Sequence, residues 1–562
     1  MRRSLPVTLV TALATTVPLA LVGLPAQAAD GFAPQPHVLL DANPGDTASD
    51  PDHFTRVGDQ LFFIASDPDH GNEPWVSDGT AAGTHLVADL APGTDSSYID
   101  QLTAFRGKLY FVYGTVESQL WVSDGTEAGT RVLLDTYPDG SDRVGFLARA
   151  GGALWFSAVT DPGSGATGDE PWTSDGTAAG THQVADIALG AESSGPRYFS
   201  AVGDVVVFAA ADADGQELWR TNGTAAGTQQ VLDIEQPGTS SPSPLTGTTA
   251  FFPTGDGSVY FSAFSSGAGT ELWRTDGTTA GTALVHDVPD ASGTPGWPAR
   301  LGRLTYFAAT DAAGKELWRT DGTDAGTVQV ADVNPDFSGN VEGLTVLDGF
   351  VYFRATGPSA TFQLWRSDGT EAGTTLVDEI KPGGDVSMSL PVTVGDRLWF
   401  EADDGVVGSE LWSSDGTEAG TDVAADIWSG PVGGCCGTPP TAVGNTVAFA
   451  AETESLGAEP WLLSAIASRT SATPADSYSA KQARKRAIRV PVRVTGAQDL
   501  TGTVRLLKGG TVVGKASLTG GKASVRIAKR LPVGETRLKA AYSGSFDAAR
   551  STSKAFVVRV RG

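Results

Sequence analysis

The stretch Glu316-Leu-Trp-Arg-Thr-Asp-Gly-Thr-Asp-Ala-Gly-Thr327 decides how this chain is read. It recurs, with small edits, eight times in full and a ninth time truncated. The tryptophans that mark it are Trp75, Trp121, Trp172, Trp219, Trp273, Trp318, Trp365, Trp412 and Trp461. Successive ones stand 45 to 54 residues apart, the size of one four-stranded propeller blade and far too long for a leucine-rich unit. Around each copy the same parts follow in order. In the first unit, residues 54–57 and 61–65 read as strands joined by the turn Gly58-Asp59. A polar loop follows, then a third strand at 73–77, a turn at 78–84 and a fourth strand at 85–89. Short aromatic and β-branched runs bounded by Gly, Asp and Asn are strand and hairpin signals.

A phenylalanine recurs in the second strand of every unit, at Phe63, Phe111, Phe156, Phe208, Phe261, Phe307, Phe353, Phe400 and Phe449. Paired with the tryptophans, these are expected to be structural anchors filling the space between neighbouring blades. The Asp-Gly-Thr turn is explained by local bonding: Asp bonds its own downstream backbone, and Gly tolerates positive φ. Asn222 fills the Asp slot once, keeping the turn-forming oxygen without the charge, so these are turn residues rather than catalytic ones. At one end, residues 37–41 match a fourth strand that lacks the preceding three; at the other, the unit ending at Leu463 lacks a fourth. Each end supplies what the other misses, which removes two exposed edges. The expected fold is therefore all-β: a closed β-propeller of about nine four-stranded blades, its N-terminal strand closing the last blade.

The repeated stretch resembles the bacterial E-L-W-x-x-D-G-T repeat family, here across roughly residues 38–464. Gln119 and Gln363 depart from the pattern at the Glu, and Pro74, Pro171 and Pro460 at the Leu. The resemblance implies an exported β-propeller-like protein and supplies no reaction and no catalytic residue. After Ser464 the composition shifts. Residues 465–485 read as a linker and first strand, and 486–562 as a β-sandwich, with period-two runs at 487–494, 502–507, 511–515, 523–527, 537–542 and 555–560. Leu531-Pro-Val-Gly534 and Tyr542-Ser-Gly-Ser545 make this part similar to bacterial Ig-like domains. The propeller itself is assigned to 37–464.

Residues 1–28 carry two arginines, an apolar run and Ala26-Gln27-Ala28, the pattern of a secretory signal peptide cut after Ala28. No later run reaches the roughly 18 apolar residues of a transmembrane anchor. Both features predict a secreted, extracellular product, held at the cell wall if at all by non-covalent contact. The net charge of −26 hides a division: from Ala465 onward there are 20 Lys/Arg and 4 Asp/Glu, or +16, which leaves −42 for the rest. An acidic body argues against nucleic acid as a partner, and the basic tail suits an anionic cell-wall polymer.

Counting outward from the hairpin tips sets Glu73 opposite Asp89, Glu170 opposite Asp186, Glu217 opposite Asp233, Glu271 opposite Asp287, Glu316 opposite Asp332 and Glu410 opposite Asp426. Glu459 would meet Asp41 through ring closure. Opposed like charges destabilise a strand pair, so something must offset them. Calcium, a hard cation that takes carboxylate oxygens, is the candidate cofactor; a one-residue register offset, or backbone N–H donors, is the alternative. The acid-rich loops between second and third strands are where a binding site is expected. The only cysteines, Cys435 and Cys436, are adjacent in a Gly-rich connection. A vicinal disulfide is the expected state in an oxidising compartment, with intermolecular pairing or two free thiols as the alternatives. Enzyme signatures are thin: the six histidines are scattered, and nucleophile and phosphate-loop motifs are missing. Two functions fit. One is a non-enzymatic exported binding or adhesion scaffold that engages an extracellular glycan or protein through its propeller loops, with the Ig-like domain as spacer or wall contact. The other is an extracellular carbohydrate-active hydrolase or lyase using loop carboxylates.

Overall fold

The computed structural model describes residues 36–561 except 115–117, 135–142, 160–167, 237, 289–292, 359–360, 383, 385, 435–438, 445, 464–468, 476, 480, 483–487, 496–502, 509–510, 519–520, 528–530 and 543–550. The signal-peptide assignment at 1–28 and the pairing of Cys435 with Cys436 lie outside the described residues.

Each copy of the repeat folds as one four-stranded antiparallel sheet, giving nine such sheets with almost no helix. Sheet 1 is built from Asp52–Val57, Gln60–Ala65, Glu73–Ser77 and His85–Leu86 in chain order, and sheets 2 to 8 repeat that order. Sheet 9 draws on both ends of the repeat region. Thr441–Ala442, Val447–Thr453 and Leu456–Leu463 are joined by Pro36–Val38, which pairs with Pro36 opposite Leu463 and Val38 opposite Trp461.

The recurrent aromatics lie directly across from one another between second and third strands. Phe63 faces Trp75 and Phe307 faces Trp318, and all nine sheets repeat the pairing. Every one of these phenylalanines is buried. Cross-strand aromatic pairs each contribute about 0.2–1 kcal/mol relative to an Ala–Ala pair. The apolar faces then pack sheet on sheet, and each consecutive pair of sheets shares one core cluster. A ninth cluster joins Leu61, Phe63 and Trp75 of sheet 1 to Val443, Ala448 and Leu462 of sheet 9.

The Asp-Gly-Thr turns are eight near-copies of one hydrogen-bonded unit. In sheet 5, Asp276 Oδ1 accepts from the Thr278 backbone N–H at 2.9 Å and from its hydroxyl at 2.6 Å. The Thr278 hydroxyl in turn accepts from Gly281 N at 3.1 Å. Asn222 makes the corresponding bonds in sheet 4. A Cβ at Gly281 would fall 2.1 Å from the Asp276 carboxylate, and all eight copies accordingly keep glycine there, within Ala-Gly-Thr.

The C-terminal region is a separate all-β unit. Arg469–Ala472, Arg489–Thr495 and Lys522–Arg526 form one sheet. The other is built around Thr503–Lys508, Thr511–Ser517, Gly534–Tyr542 and Phe556–Arg561. Strict alternation of buried and exposed residues, as in Arg489–Thr495, sends Val490, Val492 and Val494 into a core shared with Leu506, Leu538 and Val558.

Candidate functional site

The glutamates singled out in the sequence turn inward. Glu73, Glu170, Glu217, Glu271, Glu316, Glu410 and Glu459 are all buried, and each accepts hydrogen bonds from the connection leading to the next sheet. Glu316 takes Val333 N at 2.9 Å and Gly339 N at 2.6 Å. Glu459 takes Ala42 N at 3.0 Å and the Ser49 hydroxyl at 2.8 Å, and so ties the N-terminal segment to sheet 9. Burial pushes Glu73, Glu271, Glu316 and Glu459 up to about 7 and raises Glu170, Glu217 and Glu410 in the same sense.

Their expected partners differ in exposure: Asp89, Asp186, Asp287, Asp332 and Asp426 are exposed, while Asp233 and Asp41 are half-buried. Third and fourth strands slip register between Leu and Trp, and beyond the slip Leu317 lies opposite Ala331, the register in which Glu316 would meet Asp332; the fourth strand ends at Ala331, one residue before that aspartate. Asp89 and Asp186 instead accept from Gly93 N and Gly190 N of the following turn. Each aspartate still lies near enough to raise its glutamate in six of the seven pairs, Glu170 with Asp186 being the exception. Backbone N–H groups, joined by serine hydroxyls at Glu170, Glu217 and Glu459, supply the hydrogen bonds these carboxylates accept, while Glu459 Oε1 has no partner among the described residues. Among the described residues no group of three or more His, Cys, Asp or Glu is arranged to hold a metal ion.

The sequence reading found the first strands but missed a bulge they share. The first strands of sheets 1, 2, 3, 4, 6 and 7 carry the same bulge, with a left-handed residue at His53, Gln101, Phe146, Tyr198, Trp297 and Gly343. Bulges re-aim side chains, and non-glycine residues at positive φ cluster at sites of function. Consecutive bulges touch. Gln101 Oε1 accepts from Leu147 N at 2.6 Å, the Phe146 and Tyr198 rings meet edge-on at 6.3 Å, and the Arg197 guanidinium lies over both.

Sheet 5 breaks the series. Its first strand pairs Ser243 with Ser262 and Phe252 with Tyr260, so nine residues span a step that takes three in sheet 1, from Asp52 to Thr55. The six extra residues form an excursion over 244–251. Thr246 accepts from Trp297 N at 2.5 Å, the Trp297 ring covers Gly247, and Phe251 N donates to Ser200 Oγ at 3.0 Å. The excursion covers one side of a 560 Å³ cleft lined by Gln101, Thr103, Phe146, Arg149, Tyr198 and Thr248. Phe146 keeps 42% of its surface exposed there. An apolar wall with a few convergent polar groups is the usual form of a small-ligand site. The signal was present in the sequence: 54 residues separate Trp219 from Trp273, the widest spacing in the series.

No curated protein matches the chain. Among solved structures it is similar to a puromycin hydrolase at 18% identity, over 63% of this chain and 59% of that one, with a TM-score of 0.35. A prolyl endopeptidase structure gives 11% identity over 65% and 55% of the two chains, with a TM-score of 0.36. A puromycin-hydrolyzing peptidase from Mycobacterium tuberculosis gives 12% over 63% and 57%, at 0.32. The chain thus spans less than two thirds of the length of each. Residues 476–561 match the bacterial Ig-like domain, group 3, so the basic C-terminal region contains a domain of that kind.

Proposed function

We propose that the nine sheets are the blades of a closed propeller, and that the protein is an exported, non-enzymatic binding scaffold whose central cleft takes an extracellular glycan. The core cluster between sheets 9 and 1 supports the closure. The single observation that carries the function is the cleft itself: exposed Phe146 and neighbouring Tyr198 beside Gln101, Thr103 and Thr248. A pyranose ring presents apolar C–H faces that lie on an aromatic surface and hydroxyls that need neutral donors and acceptors at the rim. The Ig-like domain suits contact with an anionic cell-wall polymer. Arg489 lies opposite Arg526, and Arg493 opposite Lys522, on the exposed face of one sheet. Like charges set across a ladder cost stability, and a polyanion laid along them would offset that cost.

A glycan array on the full chain, run beside a broad hydrolase screen, tests the scaffold. Binding without turnover is expected, and Phe146→Ala should weaken it about tenfold, a loss of about 1.4 kcal/mol. Turnover of any glycan, or binding indifferent to Phe146→Ala and Tyr198→Ala, would overturn the proposal. For the basic sheet, wall pull-down at low salt should fall when Arg493 and Lys522 are both replaced by glutamine; unchanged capture would exclude that face.

A further inference from the structure

A second cavity lies between sheets 5 and 6, where the repeat departs from its own rule. The arginine after the motif tryptophan normally bridges to the next sheet. Arg220 donates to the Gly277 carbonyl at 3.0 Å, Arg319 to Gly369 at 2.8 Å and Arg366 to Gly416 at 2.9 Å. By the same spacing Arg274 would reach Gly322. It turns back instead, pairing with Asp256 at 2.7 Å and donating to Ser258 Oγ at 2.8 Å. The Thr254 hydroxyl, then that of Ser258, hold Asp256 well below the ordinary carboxylate range, so the pair stays charged. Arg274 still packs beside Gly322 but makes no hydrogen bond to it, and an 830 Å³ cavity lies close by, lined in part by Asp256 and Asp321.

What lines that cavity is unusual for a body of charge −42. The turn between first and second strands of sheet 6 reads Arg300-Leu-Gly-Arg303 and carries no acid, whereas Asp59, Asp204, Asp348 and Asp396 occupy the matching turns of sheets 1, 4, 7 and 8. Arg300 and Arg303 both line the cavity and are exposed, and neither is hydrogen-bonded or ion-paired to another described residue. Arg300 is nevertheless placed. A Cβ on Gly255 would fall 1.4 Å from its Nη1, so the guanidinium rests on the bare backbone of that glycine, which has φ of +87°. Tyr260, Thr305 and two carboxylates share the lining; of these, Asp256 is paired with Arg274, and Asp321 accepts from the backbone N–H and hydroxyl of Thr323. Two guanidinium forks without protein partners, one of them seated on Gly255, suit a carboxylate or phosphate, and the volume suits a sugar unit or two.

We propose that the cavity between sheets 5 and 6 is a binding site for an acidic saccharide, whose carboxylate or phosphate is held by Arg300 and Arg303. The site is separate from the central cleft and does not depend on what that cleft binds. Calorimetric titration of the full chain at physiological salt tests it, with digalacturonate, glycerol 3-phosphate and cellobiose as probes. At that ionic strength, charges on the exposed basic domain are screened beyond roughly 8 Å. At least one anionic probe should bind about tenfold or more tightly than cellobiose, and the double variant Arg300→Gln/Arg303→Gln should lose about tenfold or more in affinity with an unchanged melting temperature. A preference for digalacturonate assigns a carboxylate ligand, and a preference for glycerol 3-phosphate a phosphate one. Equal affinity for cellobiose, equal affinity of the natural chain and the variant, or no saturable binding of either anion would overturn the site.

Discussion

Replacing Glu316 by glutamine isolates one of the buried glutamates and sets burial against hydrogen bonding. In the natural chain this carboxyl is fully buried, bonded to Val333 N and Gly339 N, and pushed from an ordinary 4.5 up to about 7 by burial, with Asp332 and Asp311 adding to the rise. The folded state therefore keeps a proton that the unfolded state has released. A group of this kind contributes its full stability below pH 4.5, the value it has unfolded, and loses it as pH rises through about 7. Each pH unit in that window is worth about 1.4 kcal/mol, so the whole of it is on the order of 3 kcal/mol. Glutamine cannot titrate, and sheet 7 shows that the fold accepts it, since Gln363 Oε1 takes Ile380 N at 3.2 Å. Between about pH 5 and about pH 8 the difference in stability between Glu316→Gln and the natural chain should move in favour of the variant by up to that amount, or several degrees of melting temperature. Paired thermal melts, with hydrogen exchange at Val333 and Gly339 as the local probe, give the measurement. If the natural chain instead gains on the variant as pH rises, the two N–H donors outweigh burial and the sign argued here is wrong.

Three further outcomes follow from named contacts. Asp276→Ala removes the acceptor for both Thr278 donors and should cost about 1 kcal/mol, while Asp276→Asn, which copies Asn222, should be near neutral in the same denaturant titration. A chain that begins at Asp50 loses the Pro36–Val38 strand and the Ser49 bond to Glu459, leaving the Leu456–Leu463 edge unpaired; it should melt lower and self-associate by light scattering. Trp297→Ala uncovers Gly247 and should turn the 244–251 excursion into a site of limited proteolysis that the natural chain resists.

Much of the fold was legible because the motif repeats itself. One tryptophan spacing gives the sheet size, the alternation around Phe and Trp gives the strands, and the two incomplete ends predict the pairing of Pro36–Val38 with Leu456–Leu463. What the motif did not reveal is how differently the two acids of a pair are exposed. The slip between Leu and Trp leaves Leu317 opposite Ala331, the register that counting from the tip gives, but the fourth strand ends there, and Asp332 is exposed while Glu316 is buried among backbone donors. A bulge carries no residue signature of its own: His, Gln, Phe, Tyr, Trp and Gly all occupy the left-handed position. Nor does the motif reveal what Arg274 bonds, because its sequence context matches that of Arg319 and Arg366, and only the neighbouring Asp256 redirects it.

That contrast bears on where function can reside in a chain built from copies. What recurs serves the scaffold: the Phe–Trp pair spans the strands of all nine sheets, the Asp-Gly-Thr turn closes a hairpin in eight, and the buried glutamate clasps the connection to the next sheet in seven. A ligand that binds once needs a place that occurs once. In this molecule such places arise where one unit departs from the rest, and two of them border sheet 5: the excursion at 244–251 borders the cleft at Phe146, and the turn at 254–258 draws Arg274 away beside the cavity that Arg300 and Arg303 line. Restoring the repeat is accordingly the sharpest perturbation available. Asp256→Ala frees Arg274 to bridge toward Gly322 as Arg319 does toward Gly369, and the expected result is slower exchange at the Gly322 turn, with the glycan binding proposed for the Phe146 cleft unchanged on the array.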